Sequence, residues 1–135
     1  MSKKLSPVQS KPVFDRITPS LLRAMPYAHK GKKIDILIET DEFTCLCPWS
    51  GLPDFAKLLI TYIPDGKVIE LKSLKYYIQS YRMVGILHED AANTILEHLV
   101  KSIKPEYLKV ELTFNLRGGI KTTVRREYPA RKQNV

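Results

Sequence analysis

The sequence predicts an α+β domain with the element order β-β-α-α-β-β, and three observations lead there. Leu108, Val110, Leu112, Phe114 and Leu116 alternate with Lys109, Glu111, Thr113 and Asn115, the period of a half-buried strand. Leu74, Tyr77, Ile78 and Tyr81 recur at i, i+3, i+4 and i+7, and Ala92, Ile95, Leu96, Leu99 and Ile103 form a second stripe, so two amphipathic helices stand between the strands. Gly118-Gly119 then tolerates the positive φ of a two-residue hairpin, which brings a last strand back from Ile120 to about Tyr128. Such a pattern buries one face of an antiparallel sheet under two helices.

The remaining elements follow in order. Residues 1–33 contain Pro7, Pro12, Pro19 and Pro26 among scattered lysines and read as an extended arm with one short helical turn near Ser20 to Ala24. Ile34, Ile36 and Ile38 alternate with Asp35, Leu37 and Glu39 as a first strand, and Leu58, Ile60 and Tyr62 share one face of a second, from about Phe55 to Ile63. Pro64-Asp65-Gly66 closes it as a turn. The first helix is expected from near Leu71 to before Gly85, and the second from about Asp90 to Ile103, with Pro105 marking its exit. Residues 34–128 are thus expected to be the folded domain, and 129–135 a basic tail.

The 135 residues, 44% of them apolar, suffice for one core and not for two. No apolar run approaches the roughly 20 residues that span a bilayer, and no apolar stretch of signal-peptide length follows Met1-Ser2-Lys3-Lys4, so a cytoplasmic protein is expected. Cys45 and Cys47 flank one residue, too close for an unstrained bridge, and read as reduced thiols. The net charge of +8 is uneven: residues 1–33 carry eight Lys/Arg against Asp15 alone, residues 117–135 carry six against Glu127 alone, and the middle is acidic. Basic flanks of this kind bind polyanions or simply solvate a protein.

The chemistry-bearing residues cluster in three places. Glu42-Phe43-Thr44-Cys45-Leu46-Cys47-Pro48-Trp49-Ser50-Gly51-Leu52-Pro53-Asp54-Phe55 reads as a loop between strands that displays a thiol and a carboxylate. A thiol attacks only as thiolate, which requires a base or a positive field, and Lys72, Lys75 or His88 could supply it. Asp54 would donate a proton only if an apolar surround raised its pKa, and Trp49, Leu52 and Phe55 could form one. The other two clusters are Glu70-Leu71-Lys72-Ser73-Leu74-Lys75-Tyr76-Tyr77 and His88-Glu89-Asp90. Taken alone, each has a plain structural reading: Cys47 as a small buried residue, Asp54 as a turn residue after Pro53, the lysines as a solvated helix face, and His88-Glu89-Asp90 as a helix cap. His29, His88 and His98 are far apart in sequence, so no metal site is expected.

From about Glu39 to Gly119 these segments together resemble the 7-cyano-7-deazaguanine reductases, the short single-domain type within the tunnelling-fold superfamily. The resemblance implies that Cys47 adds to the nitrile carbon as a thioimide and that Asp54 protonates the nitrogen. It also implies that Glu70, with the backbone of Ile69 and Leu71, and His88 with Glu89 hold the purine-like ring. Lys72, Lys75 and Arg117 would contact NADPH, so Lys72→Ala and Arg117→Ala are expected to weaken its binding while leaving the adduct intact. It further implies reduction to 7-aminomethyl-7-deazaguanine in queuosine synthesis, and a homo-oligomer with active sites between subunits. The chain departs from the family at Trp49-Ser50-Gly51-Leu52 and after Lys121, and carries Ala91 where many relatives have a cysteine, which removes a disulfide to Cys47. The lack of metal spacing argues against the zinc-using cyclohydrolase and pterin-synthase relatives. Two other readings stand beside it: an amidinotransferase using the same cysteine and aspartate on a nitrile in tRNA, and a basic RNA-binding module whose affinity falls steeply with salt. For the reductase itself nucleic acid is not required.

Overall fold

The computed structural model describes residues 15–131, so the first fourteen residues of the expected arm and the last four of the expected tail lie outside the described residues. Its elements are β1 (Ala24–Pro26), β2 (Ile36–Leu46), β3 (Pro53–Ile63), β4 (Lys67–Ile69), α1 (Leu71–Gln79), α2 (His88–Ile103), β5 (Tyr107–Phe114) and β6 (Thr123–Tyr128). Four strands form an antiparallel sheet in the order β2-β3-β5-β6, with both helices packed on one face, and β1 pairs with β4 beside it. No described helix is long and apolar enough to cross a membrane.

The core lies between that sheet face and the helices. Ala56, Leu58, Ile60 and Tyr62 of β3 and Leu108, Val110, Leu112 and Phe114 of β5 meet Leu74, Tyr77 and Ile78 of α1 and Ile95, Leu96 and Leu99 of α2. The helix stripes read from the sequence are therefore the buried faces. Phe43 is fully buried, its ring 5.2 Å from Tyr81 and 6.4 Å from Phe114. Truncating a buried aromatic in such a packed cluster costs roughly 3–5 kcal/mol, so Phe43→Ala should lower the unfolding free energy by about that much in chemical denaturation.

Several boundaries differ from expectation for identifiable reasons. β2 runs to Leu46, through residues that read as loop, because a bulge between Thr40 and Phe43 inserts one residue and resets the alternation. Ile36, Ile38 and Thr40 face inward before it, Phe43 and Cys45 after it, so a strict period of two loses phase at Asp41. α1 stops at Gln79, where the Ser80 hydroxyl donates to the Tyr77 carbonyl at 2.5 Å and the chain enters a turn. α2 begins at His88, two residues early, and leaves through Lys104 in the left-handed region, φ 45°, just before Pro105. Gly118 and Gly119 form the expected hairpin turn at φ 57° and 79°, with regular pairing resuming at Thr123. Of residues 15–33, one 3₁₀ turn at Pro19–Leu21 and strand β1 are regular, and the Glu70 amide donating to the Arg23 carbonyl at 2.9 Å ties this segment to α1.

Candidate active site

The thiol-bearing hairpin is shorter than the sequence implied. Leu46 pairs with Pro53 and Cys45 with Asp54, leaving residues 47–52 as the turn. Two backbone bonds close it, Cys47 N–H to the Leu52 carbonyl and Gly51 N–H to the Cys47 carbonyl, both 2.9 Å, and Gly51 takes φ 72°, which favours glycine. A second support comes from the far side, where Leu46 N–H donates to Val84 and Ile86 N–H to Leu46.

This geometry separates the two cysteines. Cys45 faces the core, fully buried, and burial first, then the charge of Asp54, pushes its thiol up to about 12; it is a packing residue. Cys47 is half-buried, and its thiol lies below the ordinary value because the Ser50 hydroxyl and then the Ser50 and Trp49 N–H groups donate toward sulfur. Partial burial and the Asp54 charge oppose that shift. Where the sequence offers Lys72, Lys75 or His88 as the source of a positive field, the groups that lower this thiol belong to the turn itself. Its signal in the sequence is a hydroxyl three residues after the cysteine, in a Pro-then-Gly turn.

Asp54 is 7% exposed at the inward position of β3 nearest the hairpin. Arg117 Nε donates to its Oδ1 at 3.0 Å, and His88 Nε2 lies 3.2 Å from Oδ2. His88 is fixed by stacking on Phe114, ring centroids 3.5 Å apart. The expected apolar box is absent: Trp49 is 79% and Leu52 56% exposed, and Phe55 alternates outward. Inward residues at this end of the sheet meet the start of α2 and the hairpin after β5, which present a histidine and an arginine.

A second group gathers at the start of α1. Glu70 caps the helix, its carboxylate accepting from the Lys72 N–H at 2.6 Å and the Ser73 N–H at 3.0 Å. Ile69 is buried, its N–H donating to the Tyr62 hydroxyl at 3.0 Å, while Leu71, Lys72 and Lys75 are exposed. A groove of about 640 Å³ runs between α1 and β2, lined among others by Ile38, Thr44, Phe55, Leu71 and Lys75. It approaches the Asp54 end of the sheet through Phe55 and through Thr44, whose hydroxyl donates to the Asp54 carbonyl at 2.9 Å. Glu89 is exposed in the first turn of α2, where the helix dipole favours an anion. The structure thus joins Cys47, Asp54, His88 and Arg117, and places Ile69, Glu70, Leu71, Lys72 and Lys75 at a separate helix start. Among the described residues, no group of three or more His, Cys, Asp or Glu side chains is placed to hold a metal ion.

Comparison with known proteins gives a consistent result. Residues 53–133 match the model of the QueF-like protein family. The NADPH-dependent 7-cyano-7-deazaguanine reductase of Caldicellulosiruptor bescii is 50% identical over 115 residues, 85% of this chain and 88% of the relative. The enzyme of the same name from Synechocystis is 45% identical over 116 residues, 86% of this chain and 85% of the relative. Among solved structures, the apo archaeosine synthase QueF-Like superposes with a TM-score of 0.65 at 30% identity, over 69% of this chain and 91% of that one. With its α+β fold and these matches, the chain belongs to the QueF-like family.

Proposed function

We propose that this protein is an NADPH-dependent reductase that converts 7-cyano-7-deazaguanine to 7-aminomethyl-7-deazaguanine in the cytoplasm, a step of queuosine synthesis. The observation that carries the reading is a thiol lowered by its own turn, near a buried carboxylate that is paired with a half-buried histidine, in a chain of this family. The Cys47 thiolate attacks the nitrile carbon; the C–S bond forms as one C–N π bond breaks, and the nitrogen takes a proton from the Asp54–His88 pair to give the thioimide. NADPH supplies, when bound, one hydride to the thioimide and, after sulfur leaves, one to the imine, so that two hydrides and two protons convert C≡N into CH₂NH₂. Lys72 and Lys75 fit its phosphates, being exposed and without an ion pair to any described residue. Glu89 offers a free-standing carboxylate to the N–H donors of the ring, and Glu70 retains lone pairs beyond its two cap bonds.

We infer that a second copy of the chain completes the site. An imine hydrolyses unless water is excluded, yet Trp49, Leu52, Leu116 and Ile120 around Cys47 and Asp54 are all more than half exposed. A homo-oligomer that covers this rim and closes the active site between subunits resolves the conflict. The test is NADPH oxidation with 7-cyano-7-deazaguanine, two NADPH consumed per nitrile. Lys72→Ala should raise KM for NADPH roughly tenfold, as loss of one charge-assisted phosphate contact does, with the nitrile adduct retained. Adduct without oxidation would move the reading to amidinotransfer; neither would sink both.

A further inference from the structure

We propose that Ser73 is a positioning residue for substrate binding: its hydroxyl clamps the segment before β1 onto the start of α1 and so holds Glu70, with the backbone of Ile69 and Leu71, in the geometry that meets the ring. The role of Glu70 comes from the reductase reading, on which the proposal rests; the clamp itself is geometry alone.

The segment from Ile17 to Arg23 runs along α1 and is fastened at both ends of that helix. Ser73 in the first turn and Ser80 at the C-cap stand seven residues apart on one face, 5% and 0% exposed. Each hydroxyl makes two bonds. Ser73 Oγ donates to the Glu70 carbonyl at 2.7 Å and accepts the Arg23 N–H at 3.0 Å, while Ser80 Oγ donates to the Tyr77 carbonyl at 2.5 Å and accepts the Thr18 N–H at 3.1 Å. A buried hydroxyl requires partners, and these two find one in the helix and the other in the segment beside it. Ile17, Leu21 and Leu22 pack against the core around the fastenings, and β1 then pairs with β4, Ala24 opposite Ile69.

The bonds of this clamp converge on Glu70. Its N–H donates to the Arg23 carbonyl at 2.9 Å, and its carbonyl accepts the Ser73 hydroxyl together with the Leu74 N–H at 3.1 Å. Its carboxylate is oriented by the same turn, through the N–H groups of Lys72 and Ser73. The Ile69 N–H is held in turn by the Tyr62 hydroxyl. Removing the Ser73 hydroxyl leaves the Arg23 N–H without this acceptor and frees Arg23 and Glu70 to shift together. Serine is neutral, so its loss leaves the charges around Lys72, Lys75 and Cys47 as they were. The effect therefore falls on the geometry of ring binding and not on the thiol.

The test compares wild type, Ser73→Ala, Ser73→Thr and Ser80→Ala, each checked for folding by circular dichroism. Adduct formation followed against the concentration of 7-cyano-7-deazaguanine separates the half-saturating concentration from the limiting rate. Iodoacetamide alkylation of Cys47 and hydrogen–deuterium exchange of the amides of residues 69–74 are measured alongside. The expected result is that Ser73→Ala raises the half-saturating concentration about three- to tenfold, the scale of one lost hydrogen bond, and speeds exchange at Glu70. The limiting rate and the alkylation rate stay at wild-type values, and Ser73→Thr, which keeps a hydroxyl able to bond the preceding turn, recovers most of the affinity. Ser80→Ala, which loosens the far end of α1, raises the half-saturating concentration less than Ser73→Ala does. Unchanged half-saturation or unchanged exchange at Glu70 in Ser73→Ala would overturn the proposal, as would a fall in limiting rate and alkylation together. If wild type forms no nitrile adduct, the reductase reading fails and the substrate role of Ser73 fails with it, while exchange at Glu70 still decides whether the hydroxyl holds that residue.

Discussion

Cys47→Ala should eliminate both the covalent nitrile adduct and NADPH-dependent turnover, with a loss of roughly 10⁴- to 10⁶-fold, the scale on which removing a covalent nucleophile acts. The substitution is small at a half-buried turn position, and the two bonds that close the turn use backbone atoms, so the fold should persist. Cys45 cannot substitute, because it is fully buried on the core face and its thiol is pushed up to about 12. In wild type, adduct formation should rise with pH as the thiol ionises. Because the Ser50 hydroxyl and turn amides lower that thiol, the rise should be centred below 9.0, the ordinary thiol value. Rates of adduct formation across neutral to alkaline pH check both points.

The second large effect is expected at Asp54. Asp54→Asn keeps the size of the side chain but removes the charge that Arg117 and His88 both address, and places amide N–H groups where an acceptor stood. Loss of the proton-transfer partner should slow adduct formation by about 10²- to 10⁴-fold. Thiol reactivity should move the other way, since the Asp54 charge opposes ionisation of Cys47. Iodoacetamide should therefore alkylate Asp54→Asn at least as fast as wild type at neutral pH while the nitrile reacts slowly. Equal nitrile rates in the two proteins would remove the carboxylate–histidine pair from the mechanism.

Strand β5 and the buried stripes of α1 and α2 are legible because each residue's environment repeats with the period of its own element, and Gly118-Gly119 is legible because few other pairs tolerate that turn. The second half of β2 is not, because the bulge after Thr40 shifts the phase and hides the inward pair Phe43 and Cys45. Strands β1 and β4 are three residues each, one of them ending in Pro26, and exist through their pairing with each other. At the site, Cys47, Asp54 and His88 could be named from motif segments, and the structure brings them together. The Ser50 hydroxyl that acts on the thiol lies in the same motif and is legible there, whereas the ion pair of Asp54 with an arginine 63 residues further on is not. Contacts of that separation leave no local pattern. The same reasoning explains the misplaced apolar box, since Trp49, Leu52 and Phe55 adjoin Asp54 in sequence yet point away from it.

The most direct test of the central claim is the intact mass of the protein after incubation with 7-cyano-7-deazaguanine alone, followed by peptide mapping. The expected result is a gain of one nitrile mass, with no leaving group, located on Cys47 and absent from Cys47→Ala. No mass gain, or a gain on Cys45, would contradict the assignment of Cys47 as the nucleophile.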